Sequence, residues 1–335
     1  MQSCWGNALV REHLDLELFL AETLASFKNI RAKSVPVSRI VLRKGRLSVG
    51  IAPEWGAALT RFDLKIGAKK FDILRPASEN QLPAPPSLSA SCFPMIPYAG
   101  RLREGRFEFD GHSIRYPLNA LPERHSSHGD GFSRPWALTA LERHRAVLDI
   151  LPTSSAPIQY HCTQSIELAE DRLDVKLTIR NLERRRIPMG VGLHPFFAHR
   201  RNATLQAYLP MQWNWDEELM PTHSGPNVRM TEFERGVVGA ELPIAVEYCG
   251  WNGQAQIEWP AERIQVRLVT RPLLEHVVIW APTGEDFFCF EPINHATNSF
   301  NRCRLRSVDM QPIILSPDES FEQTFTIIVT RVPDA

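Results

Sequence analysis

Residues 107–118 read FEFDGHSIRYPL, and this stretch decides the class of fold. Two short runs of alternating apolar and polar residues flank the dipeptide Asp110-Gly111. Asp-Gly between such runs is a strong β-hairpin signal, because both residues accept the positive φ angles of a tight two-residue turn. The stretch therefore predicts two antiparallel strands.

Similar short strand-like runs occur on both sides of this stretch. Short runs rich in β-branched and aromatic residues, bounded by Gly, Pro, Asn or Asp, predict strands. They include RIVLRKGRLSVGI at 39–51, LTRFDLKIG at 59–67, RLDVKLTIRNL at 172–182, AQIEWP at 255–260, IQVRLVT at 264–270, HVVIWAP at 276–282, FFCFEP at 287–292 and FTIIVTRV at 325–332. Many short strands without a fixed repeat predict an all-β sandwich or barrel rather than a propeller or solenoid.

Helical periodicity is convincing only in residues 11–27, where Leu14, Leu18 and Leu24 recur between acidic residues. We therefore predict an N-terminal helical extension over residues 1–37 and a β domain over residues 38–335. The Pro-, Ser- and Ala-rich residues 77–91 predict a long loop rather than a domain linker, since the strand texture resumes unchanged after them.

Charge and cysteine usage restrict the class of partner and the compartment. Lys plus Arg and Asp plus Glu number 38 each, so the chain has no general attraction for nucleic acid or an anionic membrane. The six cysteines are scattered, with no C-x-x-C pair, which favours free thiols in a reducing compartment. No apolar run is long enough to span a bilayer, and the N-terminus lacks the pattern of a secretory signal. We expect a cytoplasmic protein that binds neither nucleic acid nor membranes.

Two residues are candidates for acid–base chemistry. Glu291 ends the apolar run Phe287–Phe290 and precedes Pro292, and a carboxyl group in such a position must be paired or its pKa rises. His194 lies between the apolar GVGL and Pro195. Either residue could instead be structural, Glu291 by accepting hydrogen bonds from loop amides and His194 as a satisfied core histidine.

Other chemistries find little support. His125 and His128 form an H-x-x-H pair, which alone is weak evidence for a cupin-like metal site. The chain has no G-x-S-x-G elbow, no Walker A loop and no H-E-x-x-H motif. Acid–base catalysis without a metal or other cofactor is therefore the leading enzymatic hypothesis.

Taken together, six segments in order resemble the aldose 1-epimerase (galactose mutarotase) family over residues 40–332. They are the opening strands 47–64 with FDILRP at 71–76, FPMIPYAGRLREGRFEFDG at 93–111, HSSHGDGFSRPW at 125–136, GVGLHPFF at 190–197, CFEPINHATNSFN at 289–301 and LSPDES at 315–320.

This resemblance implies one β-supersandwich with an open sugar-binding groove, a small-molecule sugar as its partner, and either a monomer or a homodimer. By motif, His194 is similar to the family's catalytic acid and Glu291 to its catalytic base, while Arg101 and His128 resemble residues that hold the sugar. Trp280, Trp251 and Phe197 are candidates for apolar contact with the sugar.

Two positions depart from the family pattern. Gly100 replaces the Asn that usually precedes the motif Arg, and Ala245 stands where the family has a substrate-binding Asp. Glu247 lies two residues further, on the same face of a strand, so it is predicted either to replace that Asp in substrate binding or to be a surface residue.

The leading prediction is an isomerase that interconverts the anomers of a free aldohexose, with Glu291 ionised as general base and His194 protonated as general acid. One alternative is a hexose-6-phosphate mutarotase that holds the phosphate through Arg103, Arg106 and Arg134. The other is a non-catalytic carbohydrate-binding or sensing module.

Overall fold

Strands make up nearly all of the regular structure in the computed structural model, which describes residues 39–77, 89–119, 123–150, 153, 155–302 and 312–332. The predicted helix at 11–27 and most of the predicted loop at 77–91 lie outside these residues. Among the described helices, none combines the length and the hydropathy required to cross a bilayer.

The described strands, in chain order, are β1 (Ile40–Lys44), β2 (Leu47–Ala52), β3 (Ala58–Ile66), β4 (Lys69–Leu74), β5 (Cys92–Met95), β6 (Arg101–Leu102), β7 (Arg106–Phe109), β8 (His112–Arg115), β9 (Ser126–Ser127), β10 (Ala137–Leu141), β11 (Arg145–Ile150), β12 (Tyr160–Leu168), β13 (Arg172–Asn181), β14 (Ile187–Met189), β15 (Gly192–Ala198), β16 (Thr204–Ala207), β17 (Met211–Trp215), β18 (Pro221–Pro226), β19 (Val237–Val238), β20 (Ala245–Cys249), β21 (Gln254–Trp259), β22 (Ile264–Arg271), β23 (His276–Trp280), β24 (Phe287–Ile293), β25 (Ile313–Leu315) and β26 (Ser320–Arg331). One short α-helix, α1, spans Met230–Arg235, and 3₁₀ turns occupy Pro53–Trp55, Arg103–Gly105, Gly131–Ser133, Arg200–Asn202, Gly239–Glu241 and Ser299–Asn301.

Two large antiparallel sheets form the body of the fold. An eleven-stranded sheet runs in the order β1-β2-β3-β4-β15-β24-β23-β20-β17-β18, with β5 paired to both β15 and β3. A nine-stranded sheet runs in the order β10-β11-β12-β13-β26-β22-β21-β16-β19. The predicted all-β sandwich is confirmed.

The principal hydrophobic core takes side chains from both sheets, among them Phe62 and Ile279 from the larger sheet and Ile166 and Val266 from the smaller. Strands of the smaller sheet such as β13 and β22 alternate between buried and more exposed positions, as expected when one face packs on a core and the other faces water.

Strands β15 and β24 differ, because every one of their residues is buried. One face of each strand enters the principal core, through residues such as Leu193 and Phe290. The opposite face packs in a second hydrophobic cluster that includes Phe93, Phe196 and Cys289. Polar side chains on this second face are therefore sealed among apolar ones, and the candidate site lies there.

The hairpin predicted from FEFDGHSIRYPL is confirmed. Phe107 pairs with Ile114 and Phe109 with His112, and Asp110 and Gly111 have φ angles of 46° and 77°. Two consecutive positive φ angles are the signature of a type I′ turn. The hairpin forms a small separate sheet rather than part of either large one.

Candidate active site

The register of two neighbouring strands brings His194 and Glu291 together. β15 and β24 pair antiparallel, with Phe196 opposite Cys289. Counting two residues along each strand from this pair places His194 opposite Glu291, on the same face of the sheet. Residues that are far apart in the sequence become direct neighbours through strand pairing.

A row of facing side chains extends from this pair across the sheet. Glu291 pairs with Val278 on β23, and Val278 pairs with Glu247 on β20. On the other side, His194 pairs with Phe93 on β5. The row thus runs Glu247, Val278, Glu291, His194 and Phe93, with two carboxyl groups and one imidazole on a single face.

His194 and Glu291 are in direct contact and almost fully enclosed. Nε2 of His194 lies 3.3 Å from Oε1 of Glu291, and each side chain is only 5% exposed. The imidazole stacks against both Phe93 and Phe196, with each ring centroid 4.5 Å from its own, and the two phenyl rings lie 6.0 Å from each other. Its Nδ1 has no hydrogen-bond partner among the described residues. The packing fixes the ring plane and directs Nε2 at the carboxyl group.

Burial shifts the two pKa values in opposite directions. Removal from water raises the pKa of Glu291 to about 8; Glu247 adds to the rise and Arg101 opposes it. Burial, with smaller contributions from His128 and Arg75, lowers the pKa of His194 well below its usual value of 6.5. At neutral pH the free pair therefore holds one titratable proton, on the carboxyl group of Glu291, and the imidazole of His194 is neutral. Two neutral groups are cheaper to bury than two charges. This differs from the ionised Glu291 and protonated His194 expected from the sequence.

His128 lies next to the pair with a fixed tautomer. Its ring centroid is 5.4 Å from that of His194, and its Nδ1 accepts the backbone N–H of Gly100 at 3.2 Å. Burial, reinforced by Arg101, lowers the pKa of His128 to about 3. A neutral imidazole that accepts at Nδ1 carries its proton at Nε2, so His128 can donate a hydrogen bond through that atom.

Arg101 is held by a carboxylate that the sequence analysis missed. Its Nε and one terminal nitrogen donate to the two carboxylate oxygens of Glu123, each at 3.2 Å. Glu123 lies in no recognisable motif and is 22 residues away in sequence, so only the fold reveals the pair. Within the part of the chain that the structure describes, three of the five guanidinium N–H groups remain for other acceptors.

Arg75 is a second site residue without a sequence signal beyond its place in FDILRP. Its guanidinium lies over the rings of Phe196 and Phe287, at 3.8 and 4.1 Å from their centroids. Burial lowers the pKa of Arg75 to about 10. The cation stays charged at neutral pH and helps to keep His194 neutral.

Glu247 is fully buried, which excludes the surface role that the sequence left open. Both of its carboxylate oxygens accept the backbone N–H of Thr297, at 3.1 and 3.3 Å. Oε1 also lies 3.6 Å from Nδ1 of His276.

Apolar residues form the more open flank of the row. Trp280 pairs with Ala245, and its ring meets those of His194 and Phe196 edge-on, with centroids 6.1 and 6.3 Å away. Trp280 and Ala245 are partly exposed. By contrast, Trp251 and Phe197 lie in the principal core, so the suggestion that they contact a sugar is wrong.

The three arginines considered for phosphate binding are already paired with carboxylates. Arg103 binds Asp216 and Glu218, Arg106 binds Glu104, and Arg134 binds Asp130 at 3.0 Å.

The H-x-x-H pair does not form a metal cluster among the described residues, because Nδ1 of His125 accepts the backbone N–H of Glu104 while His128 accepts from Gly100. A group with suitable spacing is His194, Cys289 and Glu291, whose ligand atoms lie within 4.8 Å of one another. Burial raises the pKa of the Cys289 thiol well above its usual value, which disfavours the thiolate that a metal would require.

Comparison with known proteins shows the family. The family model described as aldose 1-epimerase matches residues 38–327. The chain belongs to the aldose 1-epimerase family. Its predicted membership is thereby confirmed.

Similar proteins are found in Escherichia coli and Clostridium acetobutylicum. The uncharacterised protein YphB of Escherichia coli K12 is 27% identical over 238 residues, which cover 69% of this chain and 80% of YphB. The crystal structure of an E. coli K12 protein with a provisional aldose 1-epimerase name superposes with a TM-score of 0.78 at 25% identity, over 89% of this chain and all of that one. A galactose mutarotase-like protein from Clostridium acetobutylicum gives the same TM-score at 19% identity, over 90% of this chain and 98% of that one, and shares the fold.

Proposed function

We propose that this protein interconverts the α and β anomers of a free aldose, with Glu291 as general base and His194 as general acid. The observation that carries the proposal is the contact between the Nε2 of His194 and the Oε1 of Glu291, 3.3 Å apart and enclosed by aromatic rings. Membership of the aldose 1-epimerase family supports the same reaction.

The reaction requires one acid and one base on neighbouring atoms of the sugar. Glu291 takes the proton of the C1 hydroxyl while His194 gives a proton to O5, so the C1–O5 bond breaks and an open-chain aldehyde forms. Rotation about C1–C2 presents the other face of the carbonyl, and the two residues exchange roles as the ring closes. Each positioned proton transfer is typically worth about 10² to 10⁴ in rate.

One proton on the pair is sufficient for this cycle. In the free site it rests on Glu291, since burial raises the pKa of that carboxyl and lowers the pKa of His194. Transfer of this proton to His194 produces the carboxylate and imidazolium that open the ring. Both arrangements contain the same number of protons, so they share one pH dependence.

The groups around the pair provide the hydrogen bonds and apolar contacts that keep the open-chain sugar bound. Arg101, held by Glu123, and His128, which carries its proton at Nε2, are hydrogen-bond donors for sugar oxygens. Trp280 offers an aromatic edge and face beside His194 for the apolar C–H surface of the sugar.

Pairing of the basic residues favours an unphosphorylated sugar. Arg103, Arg106 and Arg134 each bind a carboxylate, which partly neutralises the positive charge that would attract a phosphate. The direct test is anomer-exchange NMR on galactose, glucose and other free aldoses, with their 6-phosphates as competitors. Exchange of a free aldose well above the spontaneous rate supports the proposal. Binding of sugars without exchange would instead identify a carbohydrate-binding module.

A further inference from the structure

Glu247 contacts a turn of the protein. This carboxyl is fully buried, and both oxygens accept the single backbone N–H of Thr297. Thr297 belongs to the segment that follows β24, four residues beyond its end at Ile293. A buried carboxyl group requires hydrogen-bond partners, and here the partner is the backbone of that segment.

The Thr297 segment in turn packs on the chain at Gly100 and Arg101. The backbone N–H of Asn298 donates to the carbonyl oxygen of Arg101 at 2.9 Å. A Cβ added to Gly100 would lie 2.2 Å from Oγ1 of Thr297, so the two segments approach as closely as a glycine permits. A shift of Thr297 would therefore move the backbone of Gly100 and Arg101.

Gly100 is hydrogen-bonded to His128 in both directions. The N–H of His128 donates to the oxygen of Gly100 at 2.9 Å, and the N–H of Gly100 donates to Nδ1 of His128 at 3.2 Å. The two hydrogen bonds fix both the backbone and the imidazole of His128. A continuous chain of contacts thus connects Glu247 to the two groups that face the sugar in the proposed function.

We infer that Glu247 is a positioning residue: by holding the Thr297 segment it sets the placement of Arg101 and His128, and it does not itself bind the sugar. The inference rests on the proposed function. It changes the role expected from the sequence, in which Glu247 replaces the substrate-binding Asp of the family. The burial of Glu247 and the direction of its hydrogen bonds are the reasons for the change.

Two conservative variants separate the effect of the length of the Glu247 side chain from the effect of its charge. Glu247→Gln keeps the length of the side chain and an oxygen acceptor for Thr297 but removes the charge. Glu247→Asp keeps the charge but shortens the side chain by one methylene, so the carboxylate draws back from the Thr297 N–H. Because Glu247 contributes to the raised pKa of Glu291, we also expect the alkaline limb of the pH profile to move to lower pH in Glu247→Gln alone.

The readout is kcat and KM for anomer exchange with at least two aldoses and their monodeoxy analogues. We expect Glu247→Asp to raise KM about tenfold or more, by the same factor for every sugar; a tenfold change corresponds to about 1.4 kcal/mol. We expect Glu247→Gln to keep KM within about threefold of wild type. Glu258→Gln, on β21 of the other sheet, is the control for a remote carboxyl.

A loss that disappears for one deoxy sugar would overturn the inference, because it would show that Glu247 binds the missing hydroxyl. A rise in KM in Glu247→Gln equal to that in Glu247→Asp would also overturn it. Exchange by the wild type is measured in the same series. If the wild type exchanges no aldose, the proposed function fails, and this inference fails with it.

Discussion

Nε2 of His194 lies 3.3 Å from Oε1 of Glu291 across two antiparallel strands, and both side chains are 5% exposed. Stacking on Phe93 and Phe196 prevents the imidazole from turning away. An acid–base pair of this kind is preorganised, so little reorganisation is needed when a sugar binds.

Activity should depend on pH through the single proton of the pair. The pKa of Glu291 is about 8. As pH rises through that value, the carboxyl group loses the one titratable proton of the pair, and kcat/KM should fall. On the acid side, activity should fall only when His194 also gains a proton, at a pH well below 6.5. Anomer-exchange rates from pH 4 to 10, corrected for spontaneous exchange, give the profile. Activity that remains constant above about pH 9 would contradict this assignment.

Burial of Glu291 should cost stability in alkaline solution. Its pKa is raised from 4.5 to about 8 in the folded protein, so the folded state retains a proton that the unfolded state releases between these values. The stabilisation from this proton is complete below about pH 4.5 and is lost as pH rises to about 8. Glu291→Gln removes the ionisation.

We therefore expect Glu291→Gln to unfold at a higher temperature than wild type at pH 8.5, with a free-energy gain on the order of a few kcal/mol that shrinks toward pH 4.5. Thermal unfolding at both pH values measures it. Glu258→Gln is the control, and an identical melting difference for Glu291→Gln at the two pH values would rule the explanation out.

Gly100 should tolerate a side chain only if Thr297 becomes smaller. Gly100 has a φ of +68°, and a Cβ there would meet Oγ1 of Thr297 at 2.2 Å and its Cβ at 3.1 Å. Gly100→Asn should lower the melting temperature by several degrees and reduce exchange, because overpacking costs about 1 to 3 kcal/mol. Thr297→Gly removes both clashing atoms. The double variant should recover part of the loss, and purely additive effects in the double-mutant cycle would show that the two positions are independent.

Free aldoses should be better substrates than their 6-phosphates. Arg103, Arg106 and Arg134 each bind a carboxylate, and this negative charge weakens their attraction for a phosphate. We expect kcat/KM for the preferred free hexose to exceed that for its 6-phosphate at least about tenfold, a difference of about 1.4 kcal/mol. Equal or greater values for the 6-phosphate would identify a phosphosugar mutarotase.

Much of the fold could be predicted from the sequence because its signals are local. Alternating strands and the Asp110-Gly111 turn record which face each residue presents and where the chain reverses. His194 and Glu291 could be found as polar residues in wholly apolar runs, supported by the family motifs. Their mutual contact could not, since it depends on the register between strands that are about 100 residues apart in the sequence.

Residues whose roles depend on long-range packing were missed or misjudged. Glu123 and Arg75 carry no local pattern, and only the tertiary structure places them beside Arg101 and Phe196. The charged state expected for His194 and Glu291 differs from the one that burial favours in the free site, because the extent of burial shifts the pKa values and is invisible in the sequence.

The most direct test of the central claim is anomer-exchange NMR on the best free aldose, with wild type, Glu291→Gln and His194→Asn compared at neutral pH. We expect the wild type to accelerate exchange well above the spontaneous rate and each variant to lose about 10² to 10⁴ of that acceleration, while circular dichroism shows an unchanged all-β spectrum. Exchange close to the wild-type rate in either folded variant would contradict the assignment of His194 and Glu291 as the acid–base pair.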